Sequence, residues 1–397
     1  IAGGAGTWRV GVPGDGWTGA DGKINAAWAQ DQFAVFSGTG GTVTVSNAGG
    51  TVRINGAQFA ADGYVLQGDA IELGASGTVV RVGDGSGTDF DRTATVNVAL
   101  TGAGGLVKDD VGRLLLGGTN TYTGGTTVKA GVLQGNTASL QGGIVNDAEV
   151  VFDQAKTGSY AGTMSGSGKL RKIGAGTLTL TSVNSYAGGT FVDAGTLATD
   201  VTGALGSGAA SVASGGTLQL GGGFDTGTTA IGNQGTVRFQ GKASAGTSTI
   251  TNAAGGVLAF ADDATADKAT VLNQAGAQVR IDQSTTGVSF GSLSGAGEFV
   301  LGAKALTLGA SGDNTTLSGT ISGNGGSVVK VGAGTLTLTG ANTYTGGTTV
   351  GAGTLSVNNK SGSATGTGAV LVQSGATLAG SGSIAGAVTI DKGGILA

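Results

Sequence analysis

GAGTLTLTGANTYTGGTTVGAGTL, residues 332–355, decides the fold. Its TLTLT run alternates, with Leu336 and Leu338 on one side and Thr335, Thr337 and Thr339 on the other, as a half-buried strand requires. NTYTGG follows with residues suited to a turn, because asparagine tolerates the left-handed conformation and glycine takes it without steric penalty. TTV and GTL then read as two further short strands around an AG corner. The segment is therefore strand, turn, strand, turn, strand.

The same segment occurs three times. GAGTLTLTSVNSYAGGTFVDAGTL occupies 174–197, and the first copy, LVKDDVGRLLLGGTNTYTGGTTVKAGVL, occupies 106–133. Aligned on a lysine at the third position, the copies span 106–133, 170–197 and 328–355 without a gap. Lysine to tyrosine is always 14 residues: Lys108 to Tyr122, Lys172 to Tyr186, Lys330 to Tyr344. Tyrosine to the closing leucine is always 11, reaching Leu133, Leu197 and Leu355. Between the second and third copies a finer step of 21 residues separates Phe239, Phe260 and Ile281, each preceded by an asparagine expected in a turn: Asn233, Asn252 and Asn273.

About 21 residues make one coil of a three-strand solenoid. Such a coil cannot bury its apolar face alone, and stacking builds one continuous core. The expectation is an all-β, three-strand parallel β-helix of about 19 coils over 397 residues. A glycine-rich β-sandwich would not keep the 14- and 11-residue spacings. The one helix candidate, KINAAWAQDQF at 23–33, is placed at the blunt N-terminal end.

Composition agrees. Glycine numbers 85, while one proline (Pro13) and no triplet period exclude collagen. Charged residues are 11%, and Val, Ile, Leu and Thr are too plentiful for a disordered chain. A net charge of -4 argues against a nucleic-acid partner, which calls for a basic face. Lys169, Arg171 and Lys172, the densest basic group, read as a solvated edge. No apolar run approaches the ~18 residues of a membrane-spanning helix. The start, IAGGAGTWRV, lacks a Met and reads as a mature or excised fragment. There is no cysteine and no histidine, so disulfides, thiolate metal sites and the commonest proton shuttle are excluded.

The GAGTLTLTGANTYTGGTTVGAGTL motif resembles the passenger-associated repeat of Gram-negative autotransporters. The flanks agree: FSGTGGTVTVSNAGGTVRINGAQFAADGYVLQG (36–68) resembles the N-terminal part of many such passengers, and ATLAGSGSIAGAVTIDKGGILA (376–397) resembles a coil that commonly follows these repeats. The resemblance implies a right-handed β-helix, exported to the bacterial cell surface through a C-terminal translocator β-barrel that this fragment is expected to lack. It also gives the missing cysteines a cause, since a disulfide-closed loop would obstruct a narrow pore. The expected organisation is an N-terminal cap with the first coils at 1–35 and a continuous β-helix over 36–397. Leu114, Tyr122, Leu133, Leu178, Tyr186, Leu197, Leu336, Tyr344 and Leu355 are the expected structural residues of the repeat. The first copy departs from the others, with KDDVGRLLL where they have GAGTLTL, so Asp109, Asp110 and Arg113 form a charged local surface.

Catalytic candidates are sparse. Protease passengers of this superfamily use a Ser-His-Asp arrangement, which a chain without histidine cannot build. GDGSG (83–87) is a turn with a chance serine. A polysaccharide lyase would need carboxylates around calcium and a basic residue. Asp84, Asp89 and Asp91, with Arg81 and Arg92 nearby, are the weak metal candidates, and Asp262, Asp263 and Asp267 form a second acidic loop; neither matches a calcium-repeat pattern. No catalytic residue and no cofactor are expected. Trp8, Trp17 and Trp28 suit covering of an open solenoid end, or a carbohydrate platform.

Faces rich in Thr, Asn, Ser and Gly suit side-by-side association, weak per contact and summed over many coils. The leading expectation is a cell-surface adhesin acting by homotypic association or by holding a host receptor, matrix component or glycan. A secreted effector bound by a host receptor is the alternative, and a β-helix lyase the minor one. A specific binding patch is expected in irregular segments such as 56–92 or 136–162.

Overall fold

The computed structural model describes residues 4–12, 17–18 and 24–397. Among these every regular element is a strand, and no helix is long and apolar enough to cross a membrane. The chain forms two compact units: Ile1–Thr190 with Ala204–Ser207, and Phe191–Gly203 with Gly208–Ala397. Each is a parallel β-helix, the architecture expected from the periodicity, with the right-handed connections that parallel strands take. The turns number about 17 rather than 19. The step is not uniformly 21 residues: Tyr64 pairs with Ala94, because the segment 83–92 leaves the coil as a loop.

In the first unit, strands Thr93–Val96, Arg113–Leu116, Val132–Gly135, Glu149–Asp153 and Lys169–Ile173 stack in register. This places Ala94, Leu114, Leu133, Val150 and Leu170 in one inward column, all buried. In the second unit the corresponding column is Leu218, Val237, Leu258, Val279, Phe299 and Ile321. Each such side chain contributes roughly 1.5–3 kcal/mol of transfer free energy, but only because a like residue lies one coil above and below. Phe239 and Phe260, one coil apart, stack with centroids 5.0 Å apart and planes 5° from parallel.

Two expectations are corrected. The helix candidate at 23–33 contains strand Ile24–Ala26 and the start of Gln32–Phe36; its first residue lies outside the described residues, as does Pro13. The alternation of QFAVF, with Ala34 and Phe36 buried, has period 2 and overrides helix propensity. Asn233, Asn252 and Asn273 do not sit in solvated turns. They close strands Ala230–Asn233, Thr249–Asn252 and Thr270–Asn273 and point inward, fully buried.

At the N-terminal end Trp8, Trp17 and Trp28 come together, with centroids 5.0–5.2 Å apart, and Trp8 and Trp17 lie against Phe36.

Candidate functional site

All nine expected repeat residues are buried: Leu114, Leu133, Leu178, Leu197, Leu336 and Leu355 line the core, and Tyr122, Tyr186 and Tyr344 lie beneath the turns. Each tyrosine hydroxyl meets the hydroxyl of the threonine four residues on, Tyr122 to Thr126 at 2.7 Å, Tyr186 to Thr190 at 2.6 Å, Tyr344 to Thr348 at 2.5 Å. Burial alone would leave a phenol unsatisfied, and the threonine that follows the GG pair supplies its partner. The second glycine of each GG pair has positive φ, 76° at Gly125, 90° at Gly189 and 92° at Gly347, which a side chain would resist.

The asparagine that opens each of these turns, NTYTGG in the first and third copies and NSYAGG in the second, clamps neighbouring coils. Asn120 accepts the Leu100 amide (2.8 Å) and donates to the Ser139 carbonyl (2.8 Å). Asn184 likewise joins Met164 and Ala204 (2.7 and 2.6 Å), and Asn342 joins Ile321 and Ala364 (2.8 and 2.6 Å).

The third device is the lysine from which the spacings are counted. Lys108, Lys172 and Lys330 are among the largest fully buried side chains. The Lys108 ammonium donates to the carbonyls of Asp109 (2.9 Å), Asp110 (2.6 Å) and Ala130 (3.0 Å). Lys330 donates to Val331 (2.7 Å), Gly332 (2.8 Å) and Ala352 (3.1 Å), and Lys172 to Ile173 and Gly174 (2.8 and 2.7 Å). The solvated edge expected at 169–172 is therefore corrected. Lys169 and Arg171 lie on the outer face against Glu149 at 3.3 and 2.7 Å, while Lys172 points into the core.

The residue two beyond each lysine turns its carbonyl toward the ammonium by adopting positive φ: 79° at Gly174, 71° at Gly332 and 66° at Asp110. The first copy thus keeps the geometry with an aspartate, which tolerates it at a cost of about 1 kcal/mol. Asp110 offsets that strain by accepting the amides of Val111 (2.8 Å) and Gly85 (3.0 Å). Asp110→Gly is expected to change the stability of its coil by less than about 1 kcal/mol. It should nonetheless release the 83–92 loop, seen as faster hydrogen exchange at Gly85 beside unchanged exchange in Arg113–Leu116.

Burial pushes the Lys108 ammonium down to about 8, against the support of Asp110 and Asp109, and pushes Lys172 and Lys330 down also. The unfolded lysine keeps its proton to about 10.4. Between pH 8 and that value the unfolded state binds more protons, so stability rises with pH. Burial pushes the hydroxyls of Tyr122, Tyr160, Tyr186 and Tyr344 above 10, so above pH 10 the unfolded chain ionises first and stability falls. Urea unfolding of the first unit should therefore strengthen from pH 8 to 9.5, Lys108 supplying about 2 kcal/mol, and weaken beyond pH 10. Lys108→Met should lose most of the rise and keep the fall; equal profiles for both proteins would contradict the assignment.

The acidic candidates are arranged otherwise. Asp84 and Asp89 converge on Arg92, each at 3.1 Å, and Asp89 also accepts the Asp84 amide at 3.1 Å. Hydrogen bonds from Ser86 hold the Asp84 carboxyl well below the usual range. Asp91 is exposed beside them. Arg81 reaches Asp109 at 3.8 Å rather than this cluster. Asp262 and Asp267 are turn formers with positive φ, accepting the Gly241 amide and the Ser244 and Thr265 hydroxyls. Among the described residues no group of three or more Asp, Glu, His or Cys stands close enough to hold a metal ion.

The three copies of this buried polar module are also the segments that a family model recognises. The passenger-associated-transport-repeat family model matches residues 106–134, 170–198 and 328–357, three repeats of the kind carried by surface-exposed or exported autotransporter passengers. The chain is 40% identical over 238 residues to the adhesin BmaC autotransporter of Brucella suis biovar 1 (strain 1330). That alignment covers 52% of this chain and 7% of the relative, so the chain spans a small part of that protein's length. No solved structure matches.

Proposed function

We propose that this passenger is a cell-surface adhesin, acting by self-association or by holding host or matrix ligands. The observation that carries it is the 40% identity of half the chain to an autotransporter whose name is adhesin. The outer faces support it. Thr335, Thr354 and Thr377 align in one outward row, and Thr337 and Ser356 in the next, giving neutral hydroxyl ladders. Each hydroxyl contact nets only about 0.5–1.5 kcal/mol, and repetition along the coils supplies avidity. The reading is non-enzymatic: the Asp84 and Asp89 carboxylates are engaged by Arg92, and no histidine is present to move a proton.

The test is light scattering from beads coated with the purified chain, with and without uncoated competitor, beside retention of the beads on matrix-coated surfaces. Clumping or retention that the soluble chain inhibits is the expected result. Beads that stay dispersed and bind no surface at any coating density would overturn the adhesin reading.

A further inference from the structure

The outer face of the second unit carries a groove of about 150 Å³, lined by Thr236, Arg238, Ala259, Arg280, Asp282 and Gln283. Its shape follows from register. Arg238, Ala259 and Arg280 are direct neighbours in three successive strands, so a methyl separates two arginines. With strands about 4.8 Å apart, the arginines straddle a gap of roughly 10 Å. The strand Gln278–Ser284 also bulges: Ala259 pairs with Arg280, and Ala261 with Gln283, one residue further than regular pairing gives. Bulges re-aim side chains, and this one carries the Gln283 carboxamide to 3.0 Å from Arg238 Nη2.

The two guanidinium groups are not equivalent. Arg280 presents its Nε and Nη2 edge to both oxygens of Asp282, at 3.2 and 2.9 Å, as Arg53 does to Asp31 at 2.6 and 2.8 Å. On Arg238 the same edge receives one amide oxygen from Gln283, and its Nε is shielded from solvent with no partner. An edge suited to two oxygens holds one, and a shielded donor without an acceptor is costly. A carboxylate that displaced the Gln283 amide would satisfy both nitrogens.

We propose that this groove binds the carboxylate of an acidic sugar. Arg238 takes the carboxylate bidentately, Asp282 and Thr236 receive ring hydroxyls, and Ala259 with Val257 provides an apolar floor. Both an anion site and hydroxyl acceptors are present, which favours a uronate over a bare anion. The volume is small beside the ~300–1,000 Å³ of sites for drug-sized ligands, so it takes one residue of a glycan. The inference deepens the adhesin reading by naming a ligand class. It is tested on free sugar, so it can fail while beads clump, and it can hold while they do not.

The experiment titrates the purified 397-residue chain with glucuronate, glucose, acetate and a hexaglutamate peptide, followed by saturation-transfer NMR. Glucuronate is expected to bind saturably, at least tenfold tighter than glucose or acetate. Arg238→Gln should weaken it at least tenfold, whereas Gln283→Ala, which clears the edge, should leave binding equal or tighter. Circular dichroism melts matching the parent would show both variants folded, and Ala259→Leu, which fills the gap while leaving every polar group, should also abolish binding. No saturable binding of glucuronate, or binding that survives both Arg238→Gln and Ala259→Leu, overturns the site. Acetate binding as tightly as glucuronate, or the peptide binding more tightly, overturns the assignment to a sugar.

Discussion

Lys330→Met is expected to destabilise the coils around the third repeat copy by about 3 kcal/mol. The parent ammonium places its three donors on the carbonyls of Val331, Gly332 and Ala352. Hydrogen bonds from a charged donor contribute roughly 1.5–3 kcal/mol each, against several kcal/mol for removing the ion from water. Methionine keeps the length and apolar contacts of the stem and relieves the desolvation. The three carbonyls, however, stay where the backbone holds them, turned inward by the positive φ of Gly332, with no donor. Ala352 belongs to the coil after Lys330, so the loss uncouples neighbours rather than loosening one turn. Hydrogen exchange should quicken roughly a hundredfold in both Ser327–Lys330 and Thr348–Val350, while Thr249–Asn252, several coils away, keeps its protection. Parent-like exchange in both strands would mean that the ammonium gives no net stability and that its recurrence has another cause.

This lysine also marks where the sequence stops being legible. The TLTLT alternation, the TGG turns and the fixed spacings expose strand, corner and coil, because they are consequences of period-2 burial and of positive φ at glycine. Lys108, Lys172 and Lys330 supply one end of the 14-residue spacing, yet a lysine among glycines reads as surface, since an ammonium avoids burial unless partners wait for it. Those partners are main-chain carbonyls, which carry no letter in the sequence. The available signal was positional: a charged residue retained at one offset from Tyr122, Tyr186 and Tyr344 in copies whose other charges differ. Asn233, Asn252 and Asn273 hid for a similar reason, as asparagine is also a turn former. The groove was less legible still. It arises from a register that puts Ala259 between Arg238 and Arg280 and from a bulge that shifts Gln283, neither of which periodicity encodes.

The division of labour between inside and outside explains why the copies are alike while the exterior varies. Each copy buries one lysine, one asparagine clamp and one tyrosine–threonine pair, and these fix coil-to-coil register independently of the outer face. Outward positions are then free to carry hydroxyl rows near Thr354, an ion cluster at Arg92 or a groove at Arg238. Adhesive specificity can change there without disturbing the stack.

The coils between the second and third copies lack that module, and their register depends on the asparagine column. Asn233 donates to Asn252 Oδ1 at 2.7 Å, Asn252 donates to Asn273 Oδ1 and to the Gln278 carbonyl, both at 2.8 Å, and Asn273 ends on the Glu298 carbonyl at 3.0 Å. The column stops where Gly295 occupies the next register position. Asn252→Ala removes the middle rung and is expected to cost about 4 kcal/mol. It leaves Asn273 Oδ1 without its donor and one Asn233 Nδ2 hydrogen without its acceptor, at roughly 1–3 kcal/mol each, takes the side-chain donor from the Gln278 carbonyl, and opens a small void. Asn233 keeps the Val257 carbonyl at 3.0 Å, so the damage runs mainly toward the C-terminal side. Amide exchange should therefore accelerate up to about a thousandfold in Thr270–Asn273, less in Ala230–Asn233, and not at all in Thr126–Val128. Equal acceleration on both sides would show that the rung acts by filling space. Parent-like protection of Thr270–Asn273 would show that main-chain pairing holds these coils without the amide column.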